Sequence, residues 1–293
     1  MRARDLIRQA TPALEAAGID TARLDAELLV AHAIGIERSR LFLDDPELDA
    51  AQRERAEALL AARAEHRIPV AQLVGAWWFD GHELEVTADV LVPRPETELL
   101  VERTAELAPH GAGVIDVGTG SGAIAIALAA RRPDLTITAS DVSEAALAVA
   151  RRNAAAVARA ERTSSAPPAT EEVRSAPWLA PIAFQHASLL GAWRGEVVIS
   201  NPPYVEDDWR AQASPELAHE PELALYAGAD GLDVIRALVA QCAAHAEVAL
   251  VLLEHGHQQG AAIRDLLAEA GFPDPITEPD LAGHDRMTWA RRG

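Results

Sequence analysis

The chain has 293 residues, of which 49% are hydrophobic, and this is enough for one large domain and a smaller one. Acidic side chains outnumber basic ones by 45 to 26, a net charge of −19 that disfavours binding through nucleic-acid phosphates. The single cysteine, Cys242, excludes an internal disulfide, and no zinc-like spacing predicts a metal site. There is no apolar run of about 18 residues and no signal-peptide pattern, so we expect a cytoplasmic protein.

Residues 1–76 carry apolar side chains at helical spacing and predict an all-helical domain. Leu6 and Leu14 lie on one face of a first helix, and Thr21 is a candidate N-cap for a second. A third helix is predicted from about residue 50 to 66, so that the three form a small bundle. We expect this domain to recognise the substrate, although a stabilising cap is the alternative.

A linker is predicted over residues 77–95. Its aromatic run Trp77-Trp78-Phe79 and the run Leu84-Glu85-Val86 flank Gly81, which indicates a β-hairpin. The segment Pro93-Arg94-Pro95-Glu96-Thr97-Glu98 then leads from extended chain into a helix with acidic residues in its first turn.

Residues 96–293 alternate short β-branched runs with helical runs, which predicts an α/β domain with a mostly parallel, doubly wound sheet. Residues 161–181 are small, polar and proline-rich and predict a flexible surface insertion. The other predicted elements are strands Val114–Val117, Leu135–Ser140, Ile182–His186, Glu196–Ser200, Val248–Glu254 and Arg286–Ala290, and helices Ala123–Arg132, Glu144–Ala160, Leu232–His245 and Gln258–Ala270.

A glycine-rich turn, Gly118-Thr119-Gly120-Ser121-Gly122, follows the first of these strands. Glycine allows a sharp turn and lets a ligand lie against the backbone, although this spacing is neither a phosphate-binding P-loop nor a dinucleotide fingerprint. Asp141 follows the next strand, where a carboxylate can accept both ribose hydroxyls or cap the following helix. Asp116 precedes the turn and either orients it or faces an amino group of the ligand. Together these residues predict a nucleoside site.

The segment Ser200-Asn201-Pro202-Pro203-Tyr204 follows the fourth strand. Its prolines lack an N–H, so they end the strand and stiffen an extended loop. The side-chain oxygen of Asn201 and the carbonyl of Pro202 can accept both N–H groups of a planar amide or amine, and Tyr204 can cover its flat face. An ordinary proline turn is the alternative for this stretch alone. In a doubly wound sheet the loop and the glycine turn meet at the carboxyl edge, which favours direct group transfer from a nucleoside cofactor.

With these motifs the chain resembles the class I S-adenosylmethionine-dependent methyltransferases, and more closely the HemK/PrmC family of release-factor glutamine N5-methyltransferases. The resemblance runs nearly from end to end. Its most specific segments are residues 93–98 and Glu220-Pro221-Glu222-Leu223-Ala224-Leu225, because the glycine turn and Asn-Pro-Pro-Tyr are widespread among amino-methyltransferases.

The resemblance implies methyl transfer from S-adenosylmethionine to the side-chain amide of the glutamine in the Gly-Gly-Gln loop of peptide chain release factors. We expect a monomer that binds neither membrane nor nucleic acid. The implied cofactor residues are Gly118, Thr119, Gly120, Ser121, Gly122, Asp141, Leu189, Asn201 and Thr97. The implied substrate residues are Asn201, Pro202, Pro203 and Tyr204, of which Asn201, Pro202 and Tyr204 are the catalytic ones. The chain departs from the family at Ser188-Leu189, where an acid often precedes the apolar residue, so Leu189 is left to pack on the adenine.

Two other functions are compatible with the motifs. A nucleic-acid adenine N6-methyltransferase needs the same two acceptors and an aromatic residue beside a flipped base. The acidic composition argues against that activity. A cofactor-binding scaffold without turnover is the second alternative, and the intact Asn-Pro-Pro-Tyr and glycine motifs argue against it.

Overall fold

The computed structural model describes residues 1–164 and 179–292, so most of the predicted insertion lies outside the described residues. Contacts divide the chain into one unit of Met1–Ala76 with Ser214–His219, and another of Trp77–Ala213 with Glu220–Gly293. Within the described ranges, no helix combines the length and apolar character that crossing a membrane requires.

The first unit is helical. Its α-helices are α1 Ala3–Ala16, α2 Ala22–Ile34, α3 Arg38–Asp44, α4 Ala50–His66 and α5 Val70–Val74. Helix α4 begins at a capping box, in which Asp49 Oδ1 accepts from Gln52 N at 2.7 Å and Gln52 Oε1 accepts from Asp49 N at 3.1 Å. The short helices α3 and α5 were not predicted, because five to seven residues are too few to display helical periodicity.

The segment Ser214–His219 belongs to this helical unit although it lies far along the chain. Arg63 is buried, and its guanidinium bonds Asp25 Oδ2 and Glu216 Oε1, both at 2.8 Å. Arg67 Nε bonds the same Glu216 oxygen at 2.8 Å. These pairs attach the segment to α2 and α4, a grouping that no sequence pattern indicated.

The second unit contains a hairpin and a large sheet with helices on both faces. Its elements are β1 Ala76–Phe79, β2 His82–Glu85, α6 Thr97–Leu107, β3 Gly113–Val117, α7 Ala123–Arg131, β4 Thr136–Asp141, α8 Glu144–Ser164, β5 Ile182–His186, β6 Val197–Ser200, α9 Asp233–Ala244, β7 Leu250–Glu254, α10 Gly260–Glu269, β8 Ile276–Pro279 and β9 Asp285–Arg291. Asp80 and Gly81 turn the hairpin with φ of 49° and 79°, as a two-residue hairpin loop requires.

The seven strands of the sheet lie in the order β5-β4-β3-β6-β7-β9-β8. The first five are parallel, whereas β9 runs antiparallel to both β7 and β8. This confirms the predicted α/β, class I methyltransferase-like sheet. Strand β8 was missed, because its sequence Ile-Thr-Glu-Pro is short and ends in proline.

The central strands are apolar on both faces because helices cover both sides. Along β6, Val197 and Ile199 pack into the core formed with α6 and α7, and Val198 packs into the core formed with α9 and α10. Cys242 of α9 lies in the second core, and burial raises the pKa of its thiol to about 12.

Candidate active site

A cavity of about 410 Å³ opens at the carboxyl edge of the sheet, where parallel strands β3, β4 and β6 end. Of the residues predicted to form the site, those that line it are Gly118, Gly120, Asp141, Leu189, Asn201, Pro202 and Pro203. Two further segments, Asp89–Leu91 and Pro221–Ala224, contribute wall residues that were not predicted to form the site. The structure therefore brings the glycine turn and the proline loop to one cavity.

The glycine turn adopts a backbone that other residues rarely enter. Gly118 and Gly120 have φ of 73° and 55°, and no atom of the described residues lies within 4 Å of where their Cβ atoms would stand. The carbonyl of Ser140 accepts from Gly118 N and Thr119 N at 2.9 and 3.0 Å. The turn is thus held from behind by β4 while its open side faces the cavity.

Asp141 joins the glycine turn to the start of α8. Its Oδ2 accepts from Gly120 N at 2.9 Å, and its Oδ1 accepts from Ser143 N at 2.8 Å. Each carboxylate oxygen has more than one acceptor position, so both can accept a further hydrogen bond from a ligand in the cavity. The two roles considered for Asp141 from the sequence are therefore compatible.

Asp116 lies buried at the base of the turn. Its Oδ2 accepts from the Thr119 hydroxyl at 2.5 Å, whereas Oδ1 has no hydrogen-bond partner among the described residues. Burial raises the pKa of Asp116 to about 7, and the charge of Asp141 adds to the rise. The hydroxyl of Thr119 and the N–H of Ala125 lower this pKa and so oppose the rise. A buried acceptor without a donor costs stability. Asp116 does not itself line the cavity, so it acts on the site through the turn that it holds.

The wall beyond Asp141 is apolar. Leu189 has φ of 53°, a left-handed conformation that is strained for a leucine, and its carbonyl accepts from Ser140 Oγ at 3.1 Å. Val142 lines the same region with half of its surface exposed. Ser188 also lines the cavity, so an apolar surface and a hydroxyl stand where the family often has an acid.

Asn201 is held in a defined orientation. Its Nδ2 donates to Thr97 Oγ1 at 3.1 Å, so the opposite side of the amide, Oδ1, is left as an acceptor. No donor from the described residues occupies Oδ1. Ser200, immediately before it, is anchored through its hydroxyl to the Val117 carbonyl at 2.7 Å. The amide oxygen and the proline loop thus lie on a fixed support.

Five of the predicted residues do not line the cavity: Thr97, Thr119, Ser121, Gly122 and Tyr204. Thr97, Thr119 and Ser121 are buried, and a Cβ on Gly122 would stand 3.1 Å from Ala150 Cβ. These four support the turn and the loop from behind.

Tyr204 is half-buried and packs against the core around α9 and α10. Its carbonyl accepts from Gln259 Nε2 at 3.0 Å, and a Cβ on Gly231 would come within 2.1 Å of that oxygen. Burial raises the pKa of Tyr204 to about 12, helped by the charge of Glu254. Its predicted stacking on the substrate stays a prediction.

Glu254 is a residue of this site that sequence reasoning missed. It ends β7 and is 1% exposed, and no residue in the described part of the chain forms a hydrogen bond with its Oε2. Burial raises the pKa of Glu254 to about 7, while the hydroxyls of Thr97 and Tyr204 and the charge of Arg286 oppose the rise. Its position at the end of a parallel strand, like that of Asp141, was the available signal.

The two most family-specific segments meet beside the cavity. Glu220 is buried, its Oε1 pairs with Arg94 Nη2 at 2.5 Å, and its Oε2 accepts from Val92 N at 2.9 Å. This contact fixes the start of the wall that continues with Pro221 and Leu223.

The order of the seven strands, the antiparallel β9 and the glycine turn with its strand-end acid define a class I methyltransferase. Two family models match the chain, "PrmC N-terminal domain" over residues 5–75 and "Methyltransferase small domain" over residues 95–228. The chain is 45% identical to the release factor glutamine methyltransferase of Cereibacter sphaeroides over 99% of both chains. It is 44% identical to that of Burkholderia pseudomallei over 92% of this chain and 91% of the other. The chain belongs to the release factor glutamine methyltransferase family, and the resemblance drawn from the sequence is confirmed.

A solved structure supports the fold alone. The hMettl16 catalytic domain in complex with MAT2A 3′UTR hairpin 1 matches with a TM-score of 0.52 and 14% identity, covering 82% of this chain and 80% of that one.

Proposed function

We propose that the protein transfers a methyl group from S-adenosylmethionine to the side-chain amide nitrogen, N5, of the glutamine in the Gly-Gly-Gln loop of peptide chain release factors. The observation that carries this proposal is the fixed orientation of Asn201, whose free Oδ1 lies in the same cavity as the glycine turn. The full-length similarity to release factor glutamine methyltransferases supports the choice of substrate.

The residues present fit the proposed cofactor. The oxygens of Asp141, which lines the cavity, can accept hydrogen bonds from its hydroxyl groups. The open backbone at Gly118 and Gly120 gives it room, and Leu189 offers an apolar surface to its adenine ring. When bound, S-adenosylmethionine supplies a methyl group activated by a positively charged sulfur.

The amide nitrogen of glutamine is a poor nucleophile, because its lone pair is delocalised into the carbonyl. In the proposed mechanism Asn201 Oδ1 and the carbonyl of Pro202 each accept one N–H of this amide. Two fixed acceptors set the plane of the nitrogen, so that its lone pair faces the activated methyl group. The nitrogen would gain the methyl carbon as the bond from carbon to sulfur breaks. The sulfur would leave as a neutral thioether, and one amide proton would be released to solvent. The stiffness of Pro202 and Pro203 supports this reading, because the acceptors need no reordering when the substrate arrives.

Residues 1–76 are proposed to recognise the release factor, and residues 96–293 to carry out the transfer. Residues 77–95 are proposed to link these two domains. The family model over residues 5–75 supports a separate function for the helical part. The monomeric state and the cytoplasmic location stay predictions.

Methyl transfer from labelled S-adenosylmethionine tests the proposal directly. The substrates are a purified peptide chain release factor, the same factor with its Gly-Gly-Gln glutamine replaced by alanine, and bulk nucleic acid. We expect label in the intact factor only. Label in nucleic acid would favour the adenine N6-methyltransferase instead, and equal label in both factors would place the modified residue elsewhere.

A further inference from the structure

We propose that Glu254 is a positioning residue, whose ionised carboxylate fixes the direction of the hydrogen bonds that run from Asn201 through Thr97. This inference rests on the proposed function, because it assigns Asn201 Oδ1 to the substrate amide. Its consequence is that methyl transfer requires Glu254 to be ionised.

The position of Glu254 places it directly behind the proline loop. Strands β6 and β7 pair in parallel with Ser200 opposite Leu253, so Glu254 ends β7 beside the point where the loop begins. The residue is 1% exposed, and Oε2 has no partner among the described residues. Leaving a carboxyl group in such a place destabilises the fold, so a function at this position is the economical explanation.

The hydrogen bonds behind Asn201 run in one direction. Asn201 Nδ2 donates to Thr97 Oγ1 at 3.1 Å, and Thr97 is 4% exposed. A hydroxyl has one proton, so Thr97, having accepted from Asn201, can donate that proton to a further acceptor. The register that pairs Ser200 with Leu253 puts Glu254 next to Asn201 on the neighbouring strand, and the hydroxyls of Thr97 and Tyr204 lower the pKa of its carboxyl, as donors do. In the proposed arrangement, donation runs from Asn201 to Thr97 to Glu254.

A protonated Glu254 permits the reverse direction. Its own O–H can donate to Thr97 Oγ1, and the Thr97 proton then turns toward Asn201. The amide of Asn201 must rotate to offer Oδ1 to Thr97, which presents its NH₂ group to the cavity. An NH₂ group there faces the N–H donors of a substrate amide, so the site loses the acceptor on which the transfer depends.

The charged groups around Glu254 set the pH at which this change occurs. Arg286 of β9 stabilises the ionised form, whereas Glu96, just before α6, opposes it. Tyr204 faces the carboxyl from the proline loop, and its pKa of about 12 keeps it a donor throughout an ordinary assay. Because burial dominates and raises the pKa of Glu254 to about 7, ionisation is lost as the pH falls through neutrality.

The kinetic test measures kcat on the release factor from about pH 5.5 to about pH 9. We expect the wild-type kcat to rise with pH through about 7. Glu254→Gln keeps an acceptor that cannot titrate, so this step disappears. Glu254→Leu removes the acceptor and lowers kcat about 100-fold, while KM for both substrates changes less than about threefold.

Thr97 supplies a matched pair of variants. Thr97→Ser keeps the hydroxyl and should keep the pH step, whereas Thr97→Val keeps the volume without the hydroxyl and should have a kcat about 100-fold below that of Thr97→Ser. Thr97→Val combined with Glu254→Leu should lower kcat no more than either substitution alone, because both interrupt the same series of hydrogen bonds. An unchanged kcat in Thr97→Val, or the wild-type pH step in Glu254→Gln, overturns the inference.

A second measurement separates this inference from the proposed function. The side-chain ¹⁵N–¹H signals of Asn201, assigned by their loss in Asn201→Ser, are followed against pH without substrate. We expect a midpoint near 7 in the wild type and none in Glu254→Gln. Signals that do not respond to pH in the wild type refute the role of Glu254. A wild type that fails to methylate the release factor while these signals titrate refutes only the proposed substrate.

Discussion

At each edge of the β3–β4 pair an aspartate accepts a hydrogen bond from a glycine N–H, but the two aspartates differ in whether an arginine also binds them. At the amino edge Asp134 Oδ2 accepts from Gly111 N at 3.0 Å, and at the carboxyl edge Asp141 Oδ2 accepts from Gly120 N at 2.9 Å. Both glycines have positive φ, 75° and 55°. Arg132 also binds Asp134, with contacts of 2.7 and 2.8 Å to its two oxygens. Among the described residues, no basic side chain pairs with Asp141.

This difference separates an aspartate whose acceptors are occupied within the protein from one that can still bind a ligand. The Arg132 guanidinium occupies the acceptors of Asp134 and holds the pKa of that carboxyl well below its usual range. The carboxyl edge instead collects acids that form no ion pair within residues 1–164 and 179–292: Asp116, Asp141 and Glu254. Unpaired carboxyl groups in a protein interior are costly, so their collection at one edge marks where a ligand completes the structure.

The largest expected effect at the carboxyl edge is that of Asn201→Ala. Removing a fixed hydrogen-bonding group at the reacting centre should lower kcat about 1000-fold. The affinity for S-adenosylmethionine, measured by calorimetry, should change much less, because the glycine turn and Asp141 are intact. Near wild-type turnover in this variant would show that Asn201 does not hold the substrate.

The next effect concerns stability and pH. The unfolded chain releases the Glu254 proton near pH 4.5 and the folded protein near 7, so the free energy of unfolding falls as pH rises between these values. Glu254→Gln should remove up to about 1.4 kcal/mol per pH unit of this slope, as measured by urea unfolding at about pH 5 and about pH 8. The slope due to Asp116, whose pKa is also about 7, should remain.

Asp134, at the amino edge, supplies a control whose contribution to stability depends on pH in the opposite direction. Because its pKa is lowered in the folded protein, Asp134 stabilises the fold above the ordinary pKa of an aspartate, and this stabilisation is lost as the pH falls. Asp134→Asn should therefore lose more stability at about pH 8 than at about pH 3. The same sign of pH dependence for both variants would contradict the comparison of the two edges.

A smaller effect is expected for cofactor affinity. Asp141→Ala should weaken binding of S-adenosylmethionine about 30-fold, since it removes hydrogen bonds between a charged acceptor and the ligand. Asp134→Ala removes a comparable contact to a glycine N–H and should leave the affinity unchanged. Calorimetry on both variants decides, and equal losses would mean that Asp141 acts only through the stability of its loop.

The smallest effect separates backbone strain from binding. Gly120→Ala and Gly111→Ala each place a Cβ at positive φ in open space, so each should lose about 1 to 2 kcal/mol of unfolding free energy. Only Gly120→Ala should also weaken binding of the cofactor, because its methyl group enters the cavity. A matching loss of affinity in Gly111→Ala would attribute the effect to stability alone.

Contiguous features of the site could be predicted from the sequence. The glycine turn, Asp141 and the proline loop each follow a strand directly, so the strand pattern places them at one edge of the sheet. The predicted strand ended at Ser140, whereas the structure extends β4 by one residue to Asp141. Such an error leaves the site intact, because it moves no residue to another edge.

Features that need several distant segments could not be predicted. The bond between Asn201 and Thr97 spans 104 positions, and the pair of Arg94 with Glu220 spans 126. Periodicity identifies elements but carries no information on which side chains meet across them. Glu254 was hidden for the same reason, since its significance comes from the hydroxyls that surround it.

The inert thiol of Cys242 makes the protein convenient to label. It is the chain's single cysteine, and a thiol with a pKa of about 12 inside the core forms almost no thiolate at neutral pH. A cysteine introduced at exposed Leu223 on the cavity wall would then be the one site open to maleimide dyes. A fluorophore attached there could report the arrival of a ligand in real time, without first replacing any native residue.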